Sequence, residues 1–332
     1  MILMGFRRPF VPLEESLIAQ GERLIPWIPG TKLPEEARRA DAAVLDFTEA
    51  ARHLVSVFRL TRQLHQRGKP VATLNRDAPW NKGVRARRIW ALRQLRIADI
   101  HLTHALQGQT VAPRTHYFPN AADLARYHLH GASLDQLRDP DRYRYAVSFI
   151  GNIDDARYPE HRPRMALLRP LQSRLASLGI ALELFHSEGM SLPQQVEVIQ
   201  RSRINLNLGA ACDHGGERSW GLPERCYGVP ACGGFLLSDA RHHATEDFTP
   251  DEEWIDFTTL DSCVSRIQAL LGDFPRTRRI AEAAHRRVLA DHTYACRART
   301  LRALLQPTER RNPKGIALGS HQGPMAPGPH PV

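Results

Sequence analysis

Arginine offers a planar fork of N–H donors to phosphate oxygens, and glycine lets backbone N–H groups come close to the same oxygens. The two occur together around Gly151-Asn152, which follows the apolar run Tyr145–Ile150 and precedes Arg157, Arg162 and Arg164. A second grouping, Glu224-Arg225, stands near the start of GLPERCYGVPACGGFLLSD, Gly221–Asp239. There a short helix is predicted, ended by Gly233-Gly234 and followed by the buried-looking strand Phe235–Leu237. A helix start carrying these side chains suits a diphosphate; the same pattern also reads as an ordinary helix–strand connection. In the first half, Asn75-Arg76-Asp77 follows a predicted strand, which puts Asp77 where a base or a partner for an acceptor hydroxyl is useful. Asp77 also fits a plain turn or helix cap. His104 and His116 lie near the ends of later strands and are candidates to line a cleft, although a single histidine also fits a structural role.

Several chemistries are excluded by spacing. Cys212 and His214 are close and Cys226 and Cys232 are six apart, but no paired close ligands give a tetrahedral zinc site, so no metal is expected. Gly-x-x-x-x-Gly-Lys-Ser/Thr, Gly-x-Gly-x-x-Gly and Gly-x-Ser-x-Gly are all missing. The five scattered cysteines suit a reduced, cytoplasmic setting. The opening MILMGFRRPF places its arginines after the apolar residues, the reverse of a secretory signal, and no apolar run reaches the roughly 20 residues of a membrane span.

The net charge is +10, with a dense basic stretch at Arg85–Arg96. Ile89, Leu92, Leu95 and Ile97 recur there at near-helical spacing. This predicts an amphipathic helix whose basic face is either simply solvated or turned to anionic lipid or a polyanionic acceptor, as at the inner face of a membrane. No signature of sequence-specific nucleic-acid binding is present.

The elements that must position these residues alternate. Strands are predicted at Ile2–Phe6, Ala42–Phe47, Pro70–Leu74, Ile100–Thr103 and Thr115–Phe118, with helices at Leu13–Leu24, His53–Arg67 and through the basic stretch. A second series begins at Tyr145–Ile150. It continues with helix 162–178, strand 181–185, helix 192–202, strand 204–208, strand 254–257 and helices at 260–271, 275–291 and 292–305. The order implies an α/β protein of two doubly wound domains with a ligand in the cleft between them. The expected division is 1–121 for a first Rossmann-like domain, 122–144 for a helical connection, 145–305 for a second, and 306–332 for a Pro/Gly/His-rich disordered tail.

VSFIGN (147–152), RINLNLG (203–209), LPERCYGVPACGGFLLSD (222–239) and VLADHTYACRARTLRALL (288–305) resemble the group 1 glycosyltransferases of the CgeB-like, spore maturation protein-like type, with a weaker match at NRDAPW (75–80). The resemblance implies a GT-B fold of two Rossmann-like domains. It implies transfer of a sugar, of hexosyl type, from a nucleotide-sugar to a hydroxyl, with no obligatory metal, no further cofactor and retention at the anomeric carbon. The donor is then expected on Gly151, Asn152, Arg162, Asn207, Glu224, Arg225, Tyr227, Gly233 and Gly234. Asp77 and His104 are the residues expected to be catalytic, on the acceptor side. The family pattern carries Arg-x-Phe-Glu before Ala-Cys-Gly-Gly, and Gly228 stands here at the Glu position, with Glu224 one helical turn earlier. That glycine leaves open a second reading, a non-catalytic GT-B module that binds a nucleotide-sugar or scaffolds a partner protein.

Overall fold

The computed structural model of the protein describes residues 1–75, 84–104, 111–209, 221–241 and 243–306. Asp77 and the tail beyond residue 306 lie outside the described residues.

Short runs of apolar, often β-branched residues form two all-parallel sheets, each buried on both faces by helices. The first contains β1 (Ile2–Gly5), β2 (Leu24–Trp27), β3 (Ala42–Asp46), β4 (Val71–Asn75), β5 (Ile100–Thr103) and β6 (Arg114–Tyr117), in the order β2-β1-β3-β4-β5-β6. Helix α1 (Val11–Ala19) covers one face; α2 (Phe47–Arg52), α3 (Leu54–His65) and α4 (Ala86–Gln94) cover the other. The predicted helix Leu13–Leu24 stops early because Gly21 takes φ +86° and Leu24 enters β2 beside β1.

The second sheet contains β7 (Tyr145–Gly151), β8 (Leu182–His186), β9 (Ser202–Asn207), β10 (Leu236–Asp239) and β11 (Ile255–Phe257), in the order β11-β10-β9-β7-β8. Around it stand α5 (Arg162–Ser177), α6 (Leu192–Gln200), α7 (Arg225–Ala231), α8 (Ala244–Asp247), α9 (Leu260–Gly272) and α10 (Phe274–Asp291). Caps fix several starts: Ser191 with Gln194 and Thr259 with Ser262 form reciprocal boxes, and Asp273 accepts from Arg276 N–H. No described helix is long and apolar enough to cross a membrane.

Residues 122–144 are not the helix the sequence suggested. They form turns with single 3₁₀ turns at Gln136–Arg138 and Pro140–Arg142, and contacts with the second domain hold them. Arg138 grips Glu282 of α10 through two bonds of 2.8 Å, which keeps the Glu282 carboxyl below its usual range. Although α11 (Tyr294–Leu305) follows the second sheet in sequence, Tyr294, Ala298, Leu301 and Leu305 pack into the core of the first, beside Leu13 and Leu17. The chain thus crosses between sheets twice, and the crossings touch: Ala122 N–H donates to His292 O at 2.8 Å, and Ala122 bridges Thr293. Buried Arg297 donates to Pro119 O and Asn120 O at 2.8 and 2.9 Å and to His292 Nδ1 at 2.9 Å.

Candidate active site

In an open parallel sheet, ligands bind beyond the carboxyl ends of the strands, where the strand order reverses. In the second sheet that point lies between β7 and β9, at Gly151-Asn152 and Asn207–Gly209. Helix α7 begins beside it.

Phe149, fully buried in β7, is the floor. The guanidinium groups of Arg164 and Arg225 lie over its ring, with carbon-to-centroid distances of 5.6 and 5.4 Å. Gly151 has to be glycine: a Cβ there would stand 2.8 Å from the Phe149 ring and 3.4 Å from Arg225 Nη2. Arg164 closes the floor by donating to Asn152 O and Gly209 O, both at 3.1 Å. The next ring of contacts orients the strand ends. Asp239 accepts from Gly209 N–H at 3.1 Å and takes the Arg241 fork at 3.1 and 3.0 Å, the Arg241 side chain being wholly buried. Asn207 is also buried and donates to Ser238 Oγ at 2.9 Å. Arg225 differs from its neighbours: among the described residues no carboxylate lies within ion-pair distance of it. Burial is the main cause pushing its guanidinium below the usual value, and the like charge of Arg241 adds to this.

The candidates therefore separate. Gly151, Asn152 and Arg225 converge around the switch point. Asn152 Oδ1 caps a turn by accepting from Asp154 N–H at 3.0 Å, and Glu224 occupies the position just before α7. Arg162 is the exposed first residue of α5, and Arg157 pairs with Glu188 at 3.5 Å. Asn207 points into the protein. Tyr227 points away: two residues after Arg225 it has turned about 200° round the helix, and its hydroxyl donates to Asp247 Oδ2 of α8 at 2.7 Å. Gly233 and Gly234 lie at the opposite, amino end of β10. Gly233 takes φ +73° and packs on Leu137 and Leu129, and Gly234 on Ile199, so the pair serves the turn and not the cleft.

Across the cleft, His104 extends from the carboxyl end of β5 and is buried. It meets Gly221, just ahead of α7, so closely that a Cβ on Gly221 would stand 2.2 Å from His104 Cδ2. His116, on β6, is half-buried, and burial lowers its basicity. Among the described residues no three His, Cys, Asp or Glu side chains converge as a metal site.

One participant had no sequence signal. Tyr127 lies in the irregular 122–144 segment, and its ring covers Gly228. Tyr127, Ile150, Ile199 and Val229 wall a slot whose polar edges include Ser187, Gln195 and Arg225. The slot holds about 50 Å³, little more than one water's share of roughly 30 Å³.

Residues 114–303, more than half of the chain, match the family described as glycosyl transferase-like. The chain belongs to that family. Its fold is GT-B, as solved structures show. HepE from Anabaena in complex with UDP superposes with a TM-score of 0.60 at 11% identity, over 92% of this chain and 98% of that one. Sucrose-phosphate synthase from Thermosynechococcus elongatus gives 0.59 at 12%, over 91% and 97%. A glycosyltransferase from Rickettsia africae gives 0.56 at 9%, over 92% and 97%. No curated protein matches the sequence.

Proposed function

We propose that this member of the glycosyl transferase-like family is a CgeB-like enzyme that moves a hexosyl group from a nucleotide-sugar to a hydroxyl acceptor, with retention, without a metal or other cofactor, on the cytoplasmic side of the membrane. The observation that carries the reading is Arg225, a cation with no carboxylate partner among the described residues, at the strand ends where a GT-B protein holds its donor. As the acceptor O–H adds to the anomeric carbon and the bond to the diphosphate oxygen breaks, negative charge builds on the leaving nucleoside diphosphate. A preorganised guanidinium in a half-buried site stabilises that charge more than it stabilises the ground state. The acceptor proton passes to a base, for which Asp77 and His104 are the candidates. Complexes of HepE with UDP, with UDP and glucose, and with UDP-glucose support uridine nucleotides as the first donors to try. The slot beside Tyr127 is the place offered to the nucleobase, which needs more room than its 50 Å³.

The loss of the family carboxylate at Gly228 favours the second reading, a binding module without turnover. One experiment separates the two. Melting temperatures are measured with UDP-, GDP-, ADP- and dTDP-sugars on the wild type and on Arg225→Ala, followed by donor turnover with and without chelator. Stabilisation by one nucleotide class that is lost in Arg225→Ala, together with donor turnover that survives chelation, supports the enzyme. Stabilisation without turnover supports the module. No shift with any donor at millimolar concentration sinks both. NMR of the product's anomeric proton tests retention.

A further inference from the structure

Residues 51–100 contain twelve Lys/Arg and two Asp/Glu, a net +10, which equals the net charge of the whole chain. The remainder of the protein is balanced. This segment builds α3 and α4, neighbours on one face of the first sheet. Some of its cations are neutralised or tied down: Arg52 pairs with Glu49, Lys69 with Asp41, and Arg88 caps α2 by donating to Ala51 O and Arg52 O. Arg59, Arg62, Arg85, Arg87, Arg93 and Arg96 are all exposed, and among the described residues none has an ion-pair partner.

These arginines frame apolar side chains that have no core to fill. On α3, Val55, Arg59 and Arg62 follow one another at i, i+4 and i+7, and Val55 is 68% exposed. On α4, Arg87 and Arg93 flank Trp90 one turn before and one turn after it, and Trp90 is 64% exposed. Leu95, just past the end of α4, is 39% exposed. The opposite faces are the buried ones: Val57, Leu60 and Leu64 of α3 and Leu92 of α4. A cationic surface without counter-charges, bearing an exposed tryptophan and aliphatic side chains, matches a bilayer interface. Arginine meets anionic headgroups there, and the indole settles at the headgroup level. A soluble polyanion would satisfy the arginines but leave Trp90 and Val55 without an apolar partner.

We propose that the α3–α4 face docks the protein on an anionic lipid bilayer. Both helices follow carboxyl ends of strands in the first sheet, so their first turns stand nearest the cleft. Docking therefore presents the acceptor side of the cleft to the membrane. If the transfer reading holds, the acceptor is a hydroxyl carried on a membrane-embedded lipid; the docking itself does not depend on that reading.

The test is sedimentation of the full chain with vesicles of phosphatidylcholine alone and with about one-third phosphatidylglycerol, without donor. The variants are Trp90→Ala and Arg59→Glu/Arg87→Glu/Arg93→Glu, and thermal melting checks that each is folded. The chain is expected to bind the anionic vesicles and not the neutral ones. The triple reversal should weaken partitioning by about tenfold or more and Trp90→Ala by about threefold or more. Equal binding to both vesicle types, no binding to either, or anionic binding that neither variant changes overturns the proposal. So does a duplex DNA fragment bound as tightly as the vesicles with Trp90→Ala inert in both assays, which would identify a nucleic-acid surface. A donor-induced melting shift in the same preparations tests the transfer reading separately.

Discussion

The ring of Tyr127 lies flat against Gly228, with Cγ and Cδ2 2.9 Å from the position a β-carbon would take. The glycine on α7 is therefore a consequence of an aromatic side chain supplied by the chain between the domains. Gly228→Ala gains helix propensity of roughly 1 kcal/mol but has to displace a half-buried ring that packs against the core. A net destabilisation of about 1–2 kcal/mol is expected, and Gly228→Glu should cost more. In Tyr127→Ala/Gly228→Glu the carboxylate has room, so the double variant should recover stability relative to Gly228→Glu. Denaturant unfolding of the four proteins checks this, and additive losses would show that the ring is not the obstacle.

Arg225→Lys keeps the charge but loses the planar contact on Phe149 and the fork. Donor affinity should fall about tenfold or more, in line with roughly 1.5–3 kcal/mol for hydrogen bonds to charged groups. Stability should change little, because no carboxylate is left unpaired. Calorimetric titration with UDP-glucose against the melting temperature of each protein separates the two effects.

Gly221 holds φ +62° against His104. In Gly221→Ala the methyl group meets both the imidazole and, at 2.7 Å, the His104 carbonyl oxygen, so movement of the ring alone does not relieve it. The left-handed backbone adds about 1 kcal/mol of strain. The variant should melt lower and lose donor turnover together, since the contact joins the two walls of the cleft. Loss of stability with full turnover would show that His104 and the α7 entrance need not be held in register.

Two buried histidines make the fold acid-sensitive. Burial pushes both His101 and His292 down to about 4. At His292 the proton is fixed on Nε2: Arg297, which only donates, bonds Nδ1, and Nε2 donates to Asp247 O at 2.9 Å. Between about pH 6.5 and 4 the unfolded chain binds these protons and the native protein does not. Stability is thus full above 6.5 and falls as the pH drops towards 4, by up to about 3 kcal/mol per histidine. Asp247 opposes this. Burial raises its carboxyl above 3.8 although Tyr227 and Tyr117 donate to it, so its contribution is present at low pH and lost as the pH rises. Unfolding titrations from pH 7 to 4 should show a shallower slope in His292→Gln and a steeper one in Asp247→Asn.

Much of this was written locally. Apolar runs ended by Gly or polar turns determined the strands; Ile100–Thr103 needs only its own four residues to be recognised as a buried strand. The βα alternation determined parallel sheets, and the strand-then-glycine pattern at Gly151 marked the carboxyl end of β7, where Arg225 comes to lie. Only the tertiary structure decided which way side chains face. Tyr227 stands two residues from Arg225, yet the helical turn sends it to Asp247 on α8. Gly233-Gly234 has the composition of a ligand loop but stands at the wrong end of β10. Tyr127, from a segment with no period, covers Gly228, and α11 returns to the core of the first sheet. Local pattern chooses an element because backbone hydrogen bonds and side-chain spacing act over a few residues. Which faces meet depends on the packing of surfaces far apart in the chain, and that is where Arg225 acquired its place in the cleft.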